Sequence, residues 1–422
     1  MRLDRAIADN AWRDTFPNAT LAHLASPRSD HCPISLQLSQ EMKQPARKKI
    51  LHYEIFWERE PSLPEVVQES WVEAGTKSDL GDISAALCKV MASLHSWSKV
   101  KFKNIGRELQ KARKKLAELL ETYADSAAVR QASDHMNELL YREEMLWLQR
   151  SRINWLKEGY RNTRFFHSKA IWRAKKNRIQ SLKDSAGTVH RSATAMEQLA
   201  TEYFQEVYYA DPSLDHSIVP SLFQSKVSAQ MNEALCSDLT EEEISTAIFQ
   251  IGPLTAPGPA RFPARIYQRN WGTIKSEVVK AVHNFFIIGV MPEGINDTAI
   301  VLIPKIKQPT QLKDYRPISL CNGIYKVVSK CLVNRLRPFL DELVSPNQSA
   351  FVPERLITDN ALVAFECFHF IQKNKNPNKA ACAYKLDLSK AYNRVDWRFL
   401  EQAMHKMGFA HRCVGDMGPG VL

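Results

Sequence analysis

Residues 383–397, AYKLDLSKAYNRVDW, constrain the fold more than any other stretch of the chain. The run from Ala381 to Leu388 has the composition of a buried central strand, with Asp387 at its carboxyl end and a helical pattern after it. A strand buried on both faces needs strand neighbours and covering helices, so the expectation is an α/β domain. Asp387 by itself reads first as a cap or turn residue and only second as a metal ligand; Mg²⁺ takes hard oxygen ligands, commonly one or two carboxylates together with substrate phosphates. Tyr392 fits either a core aromatic of the following helix or a side chain lying against whatever binds beside Asp387.

At 422 residues and 44% hydrophobic content the chain can bury a sizeable core, enough for roughly two or three domains. Lys and Arg exceed Asp and Glu by 57 − 46 = 11, and the pI near 9.2 favours a polyanionic partner, nucleic acid before a membrane surface. Eight cysteines are scattered without a C-x-x-C pair or a histidine at zinc spacing, which reads as reduced, mostly buried thiols. The first ten residues lack an apolar signal core, and the longest apolar runs, FFIIGVM and AIVLIP, fall far short of the ~20 residues that span a bilayer. A cytosolic or nuclear protein is expected.

Along the chain, CPISLQLS predicts a short strand. Leu109, Ala112, Leu116, Leu119, Leu120 and Tyr123 fall at helical steps, and two or three helices with an antiparallel pair are predicted between about 80 and 150. Residues 150–183 hold eleven Lys or Arg against one Glu, with Trp155, Phe165, Phe166 and Trp172 interleaved. That window fits a nucleic-acid contact through Arg161, Arg164, Lys169, Arg173, Lys175, Lys176 and Arg178, and equally a solvated helix face over an aromatic stripe. KDSAGTVH is a turn, Ser192 or Thr194 caps the helix after it, and Thr240 caps a helix with an acidic first turn. A Pro-rich loop, GPLTAPGPARFPAR, leads to a helix near 272–288, the strand TAIVLIPK, a loop with YRPISL, and helices near 322–341 and 358–373.

YKLDLSKAYNRVDW resembles the first catalytic motif of reverse transcriptases of plant LINE-class (non-LTR) retrotransposons. LTEEEISTAI, APGPARFPARIYQ, AIVLIPKIKQPTQLKDYRPISLCNGIYKVVSKCLVNRL and SPNQSAFVPERLITDNALVAFE follow the family's order, so the resemblance covers about 236–412. It implies the fingers and first part of the palm of a right-hand polymerase. Asp387 would be a catalytic, metal-binding carboxylate of a two-Mg²⁺ site, with the Leu388 carbonyl near the same metals. Tyr392 would select deoxynucleotides by excluding a 2′-hydroxyl. Lys305 and Arg316 would clamp the triphosphate, and Gln348, Phe351, Arg355, Asp359 and Asn360 would shape the template and nucleotide pocket. The implied partners are an RNA template, a DNA primer or target, and dNTPs, with no membrane.

RLDRAIADNAWRDTFPNATLAHLASPRSDHCPISLQL resembles the end of an AP-endonuclease-like domain, which would put His31 at a scissile phosphate, Asp4 behind it and Asp30 beside the site. The resulting layout is an endonuclease remnant at 1–40, a helical basic linker at 41–235, and a reverse transcriptase portion at 236–422.

Several positions depart from the family pattern. The second and third metal carboxylates belong to a Y-x-D-D motif, and these residues contain no Asp-Asp pair. Two metals ~3.5–4 Å apart need more than one carboxylate, so an incomplete, inactive copy is expected. Arg261 stands after Ala260 where Asp-Gly is usual, Glu354 replaces a Gly, Asn393 an Asp, and Tyr160 an Asp. A non-Gly residue at 354 would strain a turn that needs positive φ. The competing readings are a non-catalytic nucleic-acid-binding protein and a pseudogene product.

Overall fold

Helices dominate the computed structural model, which describes residues 6–9, 12, 16, 19–23, 34–38, 52–102, 104–122, 125–151, 163–209, 211, 219–374, 381–388 and 390–418. The chain divides into two units, one of residues 1–74 and 87–176, the other of 75–86 and 177–422. The described strands make three two-stranded antiparallel ribbons.

In the first unit, β1 (Thr20–His23) pairs with β2 (Ile34–Gln37). Helix α1 (Leu63–Val72) and the later turns of α2 (Leu80–Phe102) are followed by α3 (Ile105–Glu121), α4 (Ser126–Ser151) and α5 (Thr163–Asn177). Trp57 collects the edges of Tyr53, His95 and Trp97 at 5.6, 6.3 and 6.1 Å, and buries almost completely. The predicted helix pair is α3 and α4. Asn104 caps α3 by accepting from the Arg107 N–H, and Leu109, Ala112 and Leu116 interlock with Ala132, Met136 and Leu139. Leu120, expected in that stripe, is half exposed, because it lies beyond the arc facing α4.

The second unit begins with β3 (Leu182–Lys183) and β4 (Val189–His190), joined by the expected turn, then α6 (Ala193–Tyr208), capped by Ser192. Helices α7 (Ala229–Cys236), α8 (Glu241–Gln250), α9 (Ala264–Arg269) and α10 (Trp271–Ile288) lead to β5 (Thr298–Pro304), β6 (Tyr315–Cys321) and α11 (Gly323–Leu336). Then come α12 (Ile357–Lys373), α13 (Trp397–Met407) and α14 (His411–Asp416). Thr240 and Glu243 form a capping box at the start of α8, each side chain accepting from the other's backbone N–H at 3.1 and 2.7 Å. Glu243 also takes a two-pronged bond from Arg335 of α11, at 2.8 and 3.0 Å. The remaining Arg335 donors meet the carbonyls of Leu235, Ser237 and Asp238, so one guanidinium ties α11 to the end of α7 and the start of α8.

Asn322, at the junction of β6 and α11, is buried and fully engaged. Its Oδ1 accepts from the Ala260 N–H at 2.8 Å, and its Nδ2 faces the carbonyls of Gly294, Ile295 and Asp297 at 3.1, 3.1 and 3.4 Å. Gly258 lets the Pro-rich loop close on this junction, since a Cβ there would stand 2.4 Å from the Cys321 carbonyl carbon. Lys326 adds a 2.6 Å bond to the Ala256 carbonyl.

Three expectations are corrected. YRPISL, expected in a loop, is strand β6, because β5 takes up its backbone groups along the whole Tyr315–Cys321 run. Residues 381–388 are not a buried central strand: they carry no regular structure and are exposed, Tyr384 by 86% and Leu386 by 87%. A strand exists only where a neighbour takes its N–H and C=O groups, and no described strand lies beside it. Helix α12 shares this exposure and buries none of its residues. The thiols are not mostly buried either. Among the described cysteines only Cys331 and Cys413 are buried, because Cys367 and Cys382 fall on the uncovered α12 and 381–388 segments. Burial pushes the Cys331 thiol up to about 12.

Asn322→Ala would strand the Ala260 N–H and free three carbonyls, and is expected to lower unfolding free energy by about 2–3 kcal/mol in urea titration. The Arg335 guanidinium holds the Glu243 carboxyl below the usual carboxylate range. A depressed folded pKa contributes stability above the unfolded value, ~4.3, that is lost as pH falls through the folded value. The urea midpoint should therefore drop on acidification below about pH 5, and Glu243→Gln should flatten that part of the curve.

Candidate nucleotide and nucleic-acid site

The antiparallel ribbon of β5 and β6 runs from Thr298 opposite Cys321 to Pro304 opposite Tyr315. Arg316 lies opposite Ile303, and Lys305 follows β5 with its N–H on the Asp314 carbonyl at 2.8 Å. Side chains alternate along a strand and cross-strand partners share a face, so Lys305 and Arg316 project from the same face of the ribbon. Both are exposed. Asp314 organises the connection, accepting from the Gln311 and Thr310 N–H groups at 2.9 and 3.0 Å, and those bonds, with that of Gln311 strongest, hold its carboxyl below the usual range. The ribbon is seated through Leu312 and Tyr315, which bury with Leu182 and receive Met196, Leu199, Ala200 and Tyr203 of α6.

The 341–355 segment is a tight turn held by Arg355. Its guanidinium meets Asp341 Oδ1 at 2.7 and 3.0 Å and the carbonyls of Ser345, Gln348 and Val344 at 2.6, 2.8 and 3.3 Å. Arg355 is thus engaged in shaping the turn. Gln348 is exposed, with its amide on the Ala350 carbonyl at 3.0 Å. Glu354 adopts φ 64° and Arg261 φ 65°, the left-handed conformation expected where the resembling family has glycine.

The next turn brings two of these segments together. Tyr392 and Phe351, both strongly exposed, stand with ring centroids 6.2 Å apart. Asp387 and Leu388 precede that turn and are exposed. Among the described residues no group of three His, Cys, Asp or Glu side chains is placed to hold a metal ion. A two-metal centre needs more than one carboxylate, and the described residues group none with Asp387 in that way.

Lys390 and Asn393, between and beside these residues, reach α6. The Lys390 ammonium donates to Tyr203 Oη at 2.5 Å and stands 4.1 Å over its ring, while Asn393 donates to Tyr208 Oη at 3.1 Å. Sequence reasoning did not single out Tyr203, Phe204 or Tyr208; the aromatic spacing in EYFQEVYY was the available signal.

In the first unit, α5 carries Lys169, Arg173 and Lys176 exposed, with Arg178 exposed just beyond it in the second. Arg164 and Lys175 belong to α5 by backbone. Arg161, Asp4, Asp30 and His31 lie outside the described residues. No helix among the described residues is long and apolar enough to cross a membrane.

Residues 303–417, the stretch that holds Lys305, Arg316, Asp387 and Tyr392, match the family described as reverse transcriptase (RNA-dependent DNA polymerase). The particular relatives are mobile-element proteins. Over 268 residues the chain is 27% identical to the transposon TX1 uncharacterized 149 kDa protein of Xenopus laevis, covering 63% of this chain and 20% of the relative. Over 238 residues it is 22% identical to the retrovirus-related Pol polyprotein from type-2 retrotransposable element R2DM of Drosophila melanogaster, covering 55% and 21%. The chain spans about a fifth of the length of these relatives.

Glu354→Gly and Arg261→Gly should each raise stability by about 0.5–1 kcal/mol, relief of left-handed strain outweighing the added chain entropy. Glu354→Ala, which keeps the Cβ, should give no such gain in the same urea titration.

Proposed function

We propose that the chain carries the nucleotide-gripping part and the first metal carboxylate of an RNA-templated DNA polymerase of a non-LTR retrotransposon. The observation that carries this reading is the display of Lys305 and Arg316 on one face of a ribbon inside the reverse-transcriptase-matching stretch. A point charge and a planar guanidinium on a common face suit the oxygens of a triphosphate. Tyr392 and Phe351 supply the adjoining aromatic surface, with Tyr392 as the residue that excludes a 2′-hydroxyl. The substrates on this reading are dNTPs, an RNA template and a DNA primer or target, and α5 contacts the nucleic-acid backbone. The N-terminal 40 residues are assigned to an endonuclease-related region, 41–235 to the connecting segment, and 236–422 to fingers and palm.

Asp387, with the Leu388 carbonyl, would be one ligand of the Mg²⁺ pair that such polymerases use. The other carboxylates are not supplied by these 422 residues, which hold no Asp-Asp pair. No catalytic step is therefore assigned to this polypeptide alone. Its own residues bind and orient: Lys305 and Arg316 neutralise phosphate charge, and the Arg355 turn holds Phe351 against Tyr392.

The 422-residue polypeptide should bind a primed RNA template without extending the primer in Mg²⁺. Template-directed extension that vanishes in Asp387→Ala would contradict this. Replacing Lys169, Arg173 and Lys176 by Gln should flatten the log-log salt dependence of RNA binding by about 2, at ~0.7 per single-strand phosphate contact. An unchanged slope would reduce α5 to a solvated face.

A further inference from the structure

We infer that α6, outside the reverse-transcriptase-matching stretch, is a positioning element that brackets the triphosphate-gripping ribbon and the Asp387–Tyr392 turn, with Tyr203 and Lys390 as its positioning residues. The inference rests on the polymerase reading for what is positioned, and on α6 itself for how.

One edge of α6 belongs to the ribbon. Met196, Leu199, Ala200 and Tyr203 fall at helical steps and pack on the cluster of Leu182, Leu312 and Tyr315, the last two of which seat the 305–316 connection. The neighbouring edge belongs to the turn. Lys390 places its ammonium on the Tyr203 hydroxyl at 2.5 Å, over the Tyr203 ring at 4.1 Å and over Phe204 at 5.2 Å. Asn393 bonds Tyr208, whose ring stacks on Phe204 at 5.9 Å and 23°. Tyr203 therefore takes part in both contacts.

The turn needs such an anchor. Among the described residues, 381–388 have no strand partner, so no described sheet fixes where Asp387 sits. Lys390 adopts φ 54°, a conformation that non-glycine residues hold only when their surroundings impose it. The cation on an aromatic face, reinforced by a hydroxyl, is the interaction that imposes it here. Lys390 follows Asp387 by three residues and precedes Tyr392 by two, so fixing its backbone fixes the approach of both. The α6 hydroxyls and rings thus act on the reaction through Lys390 and Asn393.

Hydrogen exchange of the full chain, read by mass spectrometry, tests the bracket. Lys390→Met should speed amide exchange across 390–395 by about tenfold, with the α3 and α4 peptides unchanged, and Lys390→Arg, which keeps a cation over the ring, should restore it. Tyr203→Phe, which keeps the ring in the core, should give a smaller rise. The affinity for dTTP with Mg²⁺ should fall about tenfold in Lys390→Met and recover in Lys390→Arg. Unchanged exchange in Lys390→Met, or no recovery in Lys390→Arg, would overturn the bracket. So would a loss of dTTP affinity with protection intact, which would make Lys390 a direct ligand contact. A wild-type chain without dTTP affinity would overturn the polymerase reading and leave exchange to decide the bracket.

Discussion

The buried amide of Asn322 is the interaction on which the second unit depends. It sits where β6 becomes α11 and joins three stretches of chain: the Pro-rich loop at Ala260, the approach to β5 at 294–297, and the helix start. A buried amide with each of its groups satisfied specifies one arrangement, because any alternative leaves a donor or acceptor dry. From that junction the ribbon extends in one register, and the register decides that Lys305 and Arg316 share a face. Gly258 belongs to the same constraint, for only a residue without a side chain lets the loop reach the Cys321 backbone.

Much of this architecture was legible in the chain itself, where the signal was local. Thr240 and Glu243 are spaced for a capping box and form one, and Leu109, Ala112 and Leu116 have the helical period that packs α3 on α4. The glycine positions at 261 and 354 were legible through their replacement, and both carry the left-handed backbone. What was not legible depended on distant chain. Ala381–Leu388 has strand composition, yet a strand is a property of a pair, and none of the described strands lies beside it. Arg355 offered a charge at a motif position, and only the fold shows that the charge is engaged by the Asp341 carboxylate and four carbonyls. The Lys390–Tyr203 contact joins residues 187 apart, a separation no periodicity encodes.

The surface left by these elements is uneven. The ribbon sets the exposed Lys305 and Arg316 beside exposed Ile306 and Ile318, and α12 and 381–388 expose Phe365, Phe370, Tyr384 and Leu386, each by more than two-thirds. Exposed large apolar side chains of this kind carry an aggregation hazard. The strand-like sequence and the apolar helix are therefore suited to burial that the described residues do not provide. Within the unit, the turn bearing Asp387 is held to α6 through Lys390 and Asn393 and meets Phe351 through Tyr392, which gives that helix a larger part than its place outside the matched stretch suggests.

The central claim is that Lys305, Arg316 and the Asp387–Tyr392 turn face a common deoxynucleotide. Photocrosslinking with azido-dATP in Mg²⁺, followed by peptide mapping, measures this most directly. Adducts confined to peptides from 303–316 and 387–394, and suppressed by excess dATP, are the predicted result. Adducts elsewhere on the chain, or adducts in those peptides that excess dATP does not suppress, would contradict it.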